Sequence, residues 1–290
     1  MFLAIFRALF IFLLVSNTSY ALSITTYNIR NFDSNSTYST DLNSLVQQIT
    51  KIKTELFVFQ EIVDTQGFKT IFTNNFKDKK IILSTCGGFA KQKLALAYDK
   101  NKFRFIKSQE DTNYSKSKNC NRGVRPLFKV KLEQRSTGLK FWVLLVHLKA
   151  GASSNDVNFR KKQFSLLSNT ISKLKNFFIV GDFNTTRIET EQGQYFFDFI
   201  DENSLISSTD SIDCTSFWSG GIRDGLYYPS RLDHILVSKS LAQHYEHRNY
   251  SSFSHCEKVK CNISTLEELG NSFQNVSDHC PVKLELTKGK

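Results

Sequence analysis

Short apolar runs that stop on a polar residue recur along the whole chain, and they constrain its fold more than any other feature. Ser23-Ile24-Thr25-Thr26-Tyr27 ends on Asn28, and Leu56-Phe57-Val58-Phe59 delivers Gln60-Glu61. The run over 141–148 carries His147 next to its end, and Phe177-Phe178-Ile179-Val180 leads to Gly181-Asp182-Phe183-Asn184. Runs this short, rich in β-branched and aromatic residues, read as strands. Further strands are expected over 81–83, 94–98, 103–106, 127–132, 232–237 and 282–286. Helices are fewer: Asp41 caps a segment whose apolar positions Leu42, Leu45, Val46, Ile49 and Ile52 recur at helical spacing, and a second helix is expected over 159–174. Many strands with a few interspersed helices fit a two-sheet core flanked by helices better than a strict parallel α/β alternation. Strand ends share a rim in such a core, so Asn28, Glu61, His147, Asp182, Asn184, Asp278 and His279 can gather there.

Only 3 prolines occur, and no linker, repeat or low-complexity tract divides the chain, so 22–290 is expected to form one domain. The first residues read differently. Arg7 precedes an unbroken apolar run over 8–15, and a polar stretch ends on Ser19-Tyr20-Ala21, with small residues three and one before a cleavage point. Residues 1–21 are therefore expected to be a signal peptide, the apolar run being short of the roughly 20 residues that a bilayer span needs. No later stretch is long and apolar enough to span, so a secreted or periplasmic protein without stable membrane insertion is expected, as a monomer. Its six cysteines, Cys86, Cys120, Cys214, Cys256, Cys261 and Cys280, are an even number, which favours disulfides in an exported chain. The close C-x-x-C pairs of a zinc site are absent. Spacing suggests one pairing, Cys256 with Cys261.

The net charge of +11 is spread over Lys77-Asp78-Lys79-Lys80, Lys116 to Lys118, Arg122, Arg125 and Arg160-Lys161-Lys162. It reads either as a solvated lysine-rich surface or as attraction to a polyanion, nucleic acid or an acidic membrane. The strand-end carboxylates narrow the choice. Hard divalent cations prefer oxygen ligands and bind through one or two carboxylates plus water and substrate phosphate. Glu61, Asp182 and Asp278 are such carboxylates, with the amides Asn28 and Asn184 in the same contexts. His147 and His279 add imidazoles, which move protons near neutral pH. Asp233 can orient one of them, whereas His234, His244, His247 and His255 read as surface or structural.

Taken in order, Thr26-Tyr27-Asn28-Ile29-Arg30, Phe59-Gln60-Glu61, Leu96-Ala97-Tyr98, Val146-His147-Leu148-Lys149, Gly181-Asp182-Phe183-Asn184, Leu232-Asp233-His234-Ile235 and Ser277-Asp278-His279-Cys280-Pro281-Val282 form a series. That series resembles the motifs of the endonuclease/exonuclease/phosphatase superfamily, which includes deoxyribonuclease I-like nucleases, abasic-site endonucleases, bacterial sphingomyelinases and inositol-polyphosphate phosphatases. The resemblance implies an α+β fold, a four-layer α/β sandwich of two packed, mainly antiparallel sheets flanked by helices. It implies a catalytic set of His147, His279, Asp182, Asn184 and Asp233, the last buttressing His279. Glu61, Asn28 and Asp278 would hold the metal, magnesium with manganese or calcium as alternatives. Arg125, Arg122, Tyr98 and Thr215 would contact substrate. Gln92 stands where the deoxyribonucleases carry a glutamate paired with the first histidine, so His147 is expected to lack that acidic partner. The implied activity is hydrolysis of nucleic acid, DNA before RNA. A sphingomyelinase or phosphoinositide phosphatase on the same fold is the alternative; it would want an exposed apolar hairpin, for which Tyr227-Tyr228 is the best candidate.

Overall fold

The computed structural model describes residues 21–34, 40–209 and 211–288, so the expected signal peptide lies outside the described residues except for Ala21. In chain order the first strands are β1 (Ala21–Phe32), β2 (Leu56–Ile62), β3 (Lys79–Leu83), β4 (Lys93–Asp99), β5 (Phe103–Asp111), β6 (Leu127–Gln134), β7 (Lys140–His147) and β8 (Phe177–Asp182). They are followed by β9 (Leu205–Ser207), β10 (Ser216–Trp218), β11 (Leu226–Ser230), β12 (Asp233–Ser238), β13 (His247–Ser252), β14 (Ser264–Thr265) and β15 (Val282–Thr287). The longer helices are α1 (Leu42–Ile52), α2 (Thr65–Asn75), α3 (Ser154–Ile171) and α4 (Gln194–Glu202).

Two six-stranded sheets, β13-β15-β1-β2-β4-β3 and β5-β6-β7-β8-β12-β9, form the core, with a small sheet β10-β11-β14 beside them. Each large sheet has one parallel pair, β1 with β2 and β7 with β8; their other pairs are antiparallel. Strand alternation builds the layers. Leu56 and Val58 of β2 join Val143 and Leu145 of β7 and Val180 of β8 in the core between the sheets. Their neighbours Phe57 and Phe59 turn outward onto Leu45 and Ile49 of α1 and Phe68 and Phe72 of α2. On the far side Leu144, Val146 and Ile179 pack under Phe164 and Leu167 of α3 and Phe196 and Phe199 of α4. Successive side chains of a strand face opposite ways, so an unbroken apolar run needs partners on both faces. The result is the expected helix–sheet–sheet–helix sandwich.

Asp41 caps α1 as expected, accepting from the Ser44 amide at 3.1 Å. Helix α3 begins five residues earlier than the periodicity suggests, because Ser153 and Asp156 form a capping box in a polar first turn. Its inward face also carries polar Arg160 and Gln163, both fully buried. Strand β13 gave no apolar signal, since it lies at a sheet edge and pairs only with β15.

The cysteines pair as Cys86–Cys120, Cys214–Cys261 and Cys256–Cys280, which corrects the expected Cys256–Cys261 bond. A helical turn over His255–Val259 separates those two residues. The chain leaves that turn through left-handed Lys260 and Cys261, which brings Cys261 to Cys214, while Cys256 turns into the core against Cys280. Such pairs suit an extracellular or periplasmic location. Thiol titration of denatured, unreduced protein should find no free thiol, and reduction should lower the melting temperature; six free thiols would contradict both.

Candidate active site

The two parallel strand pairs end at the same rim, and the polar termini of the apolar runs meet there. Asn28 sits opposite Gln60, one residue before Glu61. In the other sheet His147 is opposite Asp182 and Asp182 is opposite Asp233, so the three side chains stand in one row across β7, β8 and β12. Gly181 makes that row possible. Its φ is +145°, and a Cβ there would lie 2.0 Å from the Val146 carbonyl oxygen. Glu61 and Asn184 both take left-handed backbone, φ 64° and 51°, where the chain leaves its sheet. Register shifts flank Glu61 in its pairing with both neighbours, and such an irregularity re-aims a side chain.

Asn28 ties the sheets together. Its fully buried amide donates to Glu61 Oε1 at 3.2 Å and to Asp182 Oδ2 at 3.1 Å, while its Oδ1 accepts from the Arg30 amide at 3.0 Å. Glu61 Oε2 accepts from the Asn31 amide at 2.9 Å, and Asp182 Oδ1 accepts from the Asn184 amide at 2.8 Å. The Asn184 side-chain amide donates to the Leu148 carbonyl at 3.1 Å. Ligand atoms of Glu61, His147 and Asp182 lie within 4.8 Å of one another, as do those of Asp182, Asp233 and His279. Burial raises the pKa of Glu61, against the His279 charge and the Asn28 hydrogen bond. Burial likewise pushes Asp182 up to about 6 despite the charged His279 nearby. Two carboxylates disfavoured by burial offer the hard oxygen donors that suit a divalent cation, whereas Asn28, expected among the ligands, turns its NH2 to both of them and spends its Oδ1 on the Arg30 amide, so it orients the donors.

The two histidines flank Asp182 and are poised in opposite senses. His147 Nε2 lies 3.4 Å from Asp182 Oδ2 and 3.6 Å from Glu61 Oε1. Burial, the Arg125 guanidinium and the His279 charge hold its pKa well below the usual imidazole value. His279 Nε2 is 4.0 Å from Asp182 Oδ2, and its Nδ1 is 2.7 Å from Asp233 Oδ2. Burial works against its charged form, but Asp233 by charge and hydrogen bond, with Asp182 and Asp278, lifts its pKa well above the usual value.

Other expected contacts are placed differently. Tyr98 pairs with Leu56, five positions before Glu61, so at about 3.3 Å per residue it lies some 16 Å along the strand from the rim. It packs in the core between the sheets and is not part of the site. Thr215 is fully buried, and its hydroxyl accepts from the Leu232 and Asp233 amides, each at 2.9 Å. It anchors the start of β12 and does not face substrate. Arg125 donates to the carbonyls of His147 and Leu148 at 3.2 and 2.7 Å and lies close enough to Glu61 and Asp182 to feel their charge. Arg122 is exposed on the neighbouring loop. Asp278 belongs to neither carboxylate–imidazole cluster and acts on the site by raising His279.

Gln92 donates to Asn31 Oδ1 at 2.6 Å, and His147 Nδ1 has no partner among the described residues, in line with the missing glutamate. Acidic neighbours reach His147 at Nε2 instead. His234 and His255 are buried structural rings against Phe196 and Phe273, while His244 and His247 are exposed.

Sequence reasoning missed Ser277, whose hydroxyl donates to the Asn28 carbonyl at 2.7 Å and accepts from the His279 amide at 3.1 Å. A serine two residues before a histidine carries no signal of its own. Arg160, read from the sequence as part of a basic run, and Gln163 are instead fully buried on the inward face of α3. Arg160 donates to the Lys149 and Gly151 carbonyls at 2.6 Å each, and Gln163 Oε1 accepts from the Lys149 amide at 3.0 Å, fixing the loop after His147.

A sequence model of the Endonuclease/Exonuclease/phosphatase family matches residues 25–279. No curated protein is matched by sequence. Among solved structures, TDP2 from D. rerio complexed with a single strand DNA product is 11% identical, with a TM-score of 0.64 over 91% of this chain and 98% of that one. The human Nocturnin catalytic domain with bound sulfate anion is 16% identical, with a TM-score of 0.61 over 92% and 95% of the two chains. An endonuclease/exonuclease/phosphatase family protein from Bacteroides thetaiotaomicron is 18% identical, with a TM-score of 0.60 over 94% and 99%. At these identities the likeness is one of fold. Because the family's sequence pattern extends over most of the length and the same sandwich carries it, the chain belongs to the endonuclease/exonuclease/phosphatase family, whose enzymes are divalent-metal-dependent hydrolases.

Proposed function

We propose that the protein is a secreted, magnesium-dependent nuclease that hydrolyses phosphodiester bonds, with DNA as its preferred substrate. One observation carries the reading: two imidazoles of opposite protonation preference flank a shared carboxylate beside a buried oxygen-donor cluster. In-line displacement places the attacking water and the leaving oxygen on opposite sides of phosphorus. His147, kept neutral, takes a proton, and His279, kept charged by Asp233, gives one or neutralises charge growing on the phosphoryl oxygens. Asp182 and the backbone-pinned Asn184 orient the water and a phosphate oxygen. Glu61 would hold the cation, its carboxylate oriented by the Asn28 amide, with Asp278 adding negative charge nearby; when bound, the ion would polarise the phosphate. Arg125 holds the His147 strand end, and Arg122 meets the substrate backbone.

DNA as substrate rests on the positive charge of the chain, and salt tests it. Each phosphate neutralised contributes roughly 0.9 to the log–log slope, so about four contacts should cost roughly a hundredfold in DNA affinity of the metal-depleted protein between 50 and 200 mM salt. A flat response would count against the polyanion.

One observation favours a second reading, a lipid phosphodiesterase. The β10–β11 hairpin exposes Trp218 and Ile222 by 55% and 59%, and Ser216 at its base bridges to His279. Duplex DNA, single-stranded RNA, sphingomyelin vesicles and phosphoinositide vesicles offered side by side with magnesium decide between them. DNA hydrolysis is expected; turnover of lipid alone would overturn the nuclease reading.

A further inference from the structure

The Asp233–His279 pair is held from behind by a cystine-cored layer. Cys214, Phe217, Cys256, Leu269, Phe273 and Cys280 pack as one buried cluster under β10 and the short helix His255–Val259. Cys280 directly follows His279. Its amide donates to the Thr215 carbonyl at 2.7 Å, and its Sγ accepts from the Cys256 amide at 3.1 Å. Cys214 directly precedes Thr215, the residue whose hydroxyl accepts from the amides of Leu232 and Asp233. The imidazole and its carboxylate thus come from segments 46 residues apart in sequence, and a covalent bond anchors the support of each. Both bonds lead to the same short stretch, Cys256 on one side and Cys261 on the other. A reacting pair needs its geometry kept to within about half an ångström, and a misplacement of about 1 Å can cost a hundredfold in rate.

We propose that Cys214–Cys261 and Cys256–Cys280 are positioning residues for the Asp233–His279 pair, so that the site is assembled only in the oxidised chain. The inference rests on His279 being a reacting group, as argued above. Each bond forms when two thiols pass two electrons and two protons to a disulfide oxidant, which is itself cleaved to two thiols; a dithiol reductant runs the exchange in reverse. A chain still reduced would therefore spare phosphodiesters where it is made and act only where a disulfide oxidant is present.

Three double variants test this: Cys214→Ala with Cys261→Ala, Cys256→Ala with Cys280→Ala, and Cys86→Ala with Cys120→Ala. Their bonds span 47, 24 and 34 residues, so loss of loop constraint should lower the three melting temperatures comparably. Well below those temperatures, the first two should lose at least about tenfold in kcat without a matching change in KM. They should also lose the low-field proton resonance of the Asp233–His279 hydrogen bond. The third should keep both. Equal thermal losses with kcat and the resonance intact in all three would overturn the proposal. If the wild type hydrolyses no phosphodiester, the resonance alone decides, and its persistence in the Cys256→Ala, Cys280→Ala variant is the overturning result. A variant that does not fold is replaced by dithiol reduction of the native protein, read in the same two ways.

Discussion

Replacing His279 by alanine should lower turnover at least about a hundredfold, and His147→Ala should do the same, within the 10²–10⁴ range typical of general acid–base groups. The two losses differ in origin. His279→Ala removes a charged ring and leaves the fully buried Asp233 carboxylate facing an unpaired cavity, so some stability should go with the activity. A group whose folded pKa is raised stabilises the fold below its unfolded value, near 6.5, and that contribution fades as pH rises through the folded value. The stability gap between wild type and His279→Ala should accordingly be widest in mild acid and narrow on the alkaline side. His147→Ala removes a ring that burial keeps neutral in the fold but that takes a proton in the unfolded chain below about 6.5, so its gap should be level on the alkaline side and shrink in mild acid, opposite to His279→Ala. The double variant should lose less than the product of the single losses, because both rings serve one phosphate. Near-normal turnover of either folded variant with metal bound would take that histidine out of the mechanism.

The strands and their polar ends were legible because each lies in a local pattern: an apolar run interrupted by Glu61 or Asp182 marks where the strand meets the rim, although the carboxylates themselves lie largely buried there. Registers were not legible. Tyr98 sits in an ordinary strand pattern, and only antiparallel pairing with β2 reveals that it ends at the wrong edge. Thr215 lies in a motif that suggested phosphate contact, yet its hydroxyl is spent on two backbone amides that become neighbours only after folding. Disulfide pairing failed for the same reason, since Cys256 meets a partner 24 residues away and not the one five residues on. The opposite leanings of the two histidines lie further still from sequence. They depend on burial and then Arg125 at one ring and on Asp233 beside the other, contacts across 22 and 46 residues.

Chelation should have the largest effect of all, because among the described residues the cations that act on Asp182 are His279 and Arg125. An ion that supplies several kcal/mol of charge stabilisation corresponds to at least about a thousandfold in rate, so EDTA should silence the enzyme, and magnesium, manganese or calcium should restore it. Glu61→Gln keeps the shape of the side chain and removes its charge. In that variant the magnesium concentration for half-maximal rate should rise by at least about tenfold, and the metal-induced increase in melting temperature should shrink in parallel, since a ligand stabilises only in proportion to its affinity. The thermal readout needs no substrate and so tests the site independently of the activity. Acid should weaken the site as well. Protons compete with the cation for carboxylates whose pKa values burial has raised, Asp182 to about 6, so apparent magnesium affinity should fall as pH drops through that value and stay level above it. Full turnover in EDTA, or zinc as the sole ion that restores it, would break the assignment of a hard-cation site at Glu61 beside Asp182. An affinity unchanged between pH 7 and pH 5 would show that the ion binds away from Asp182.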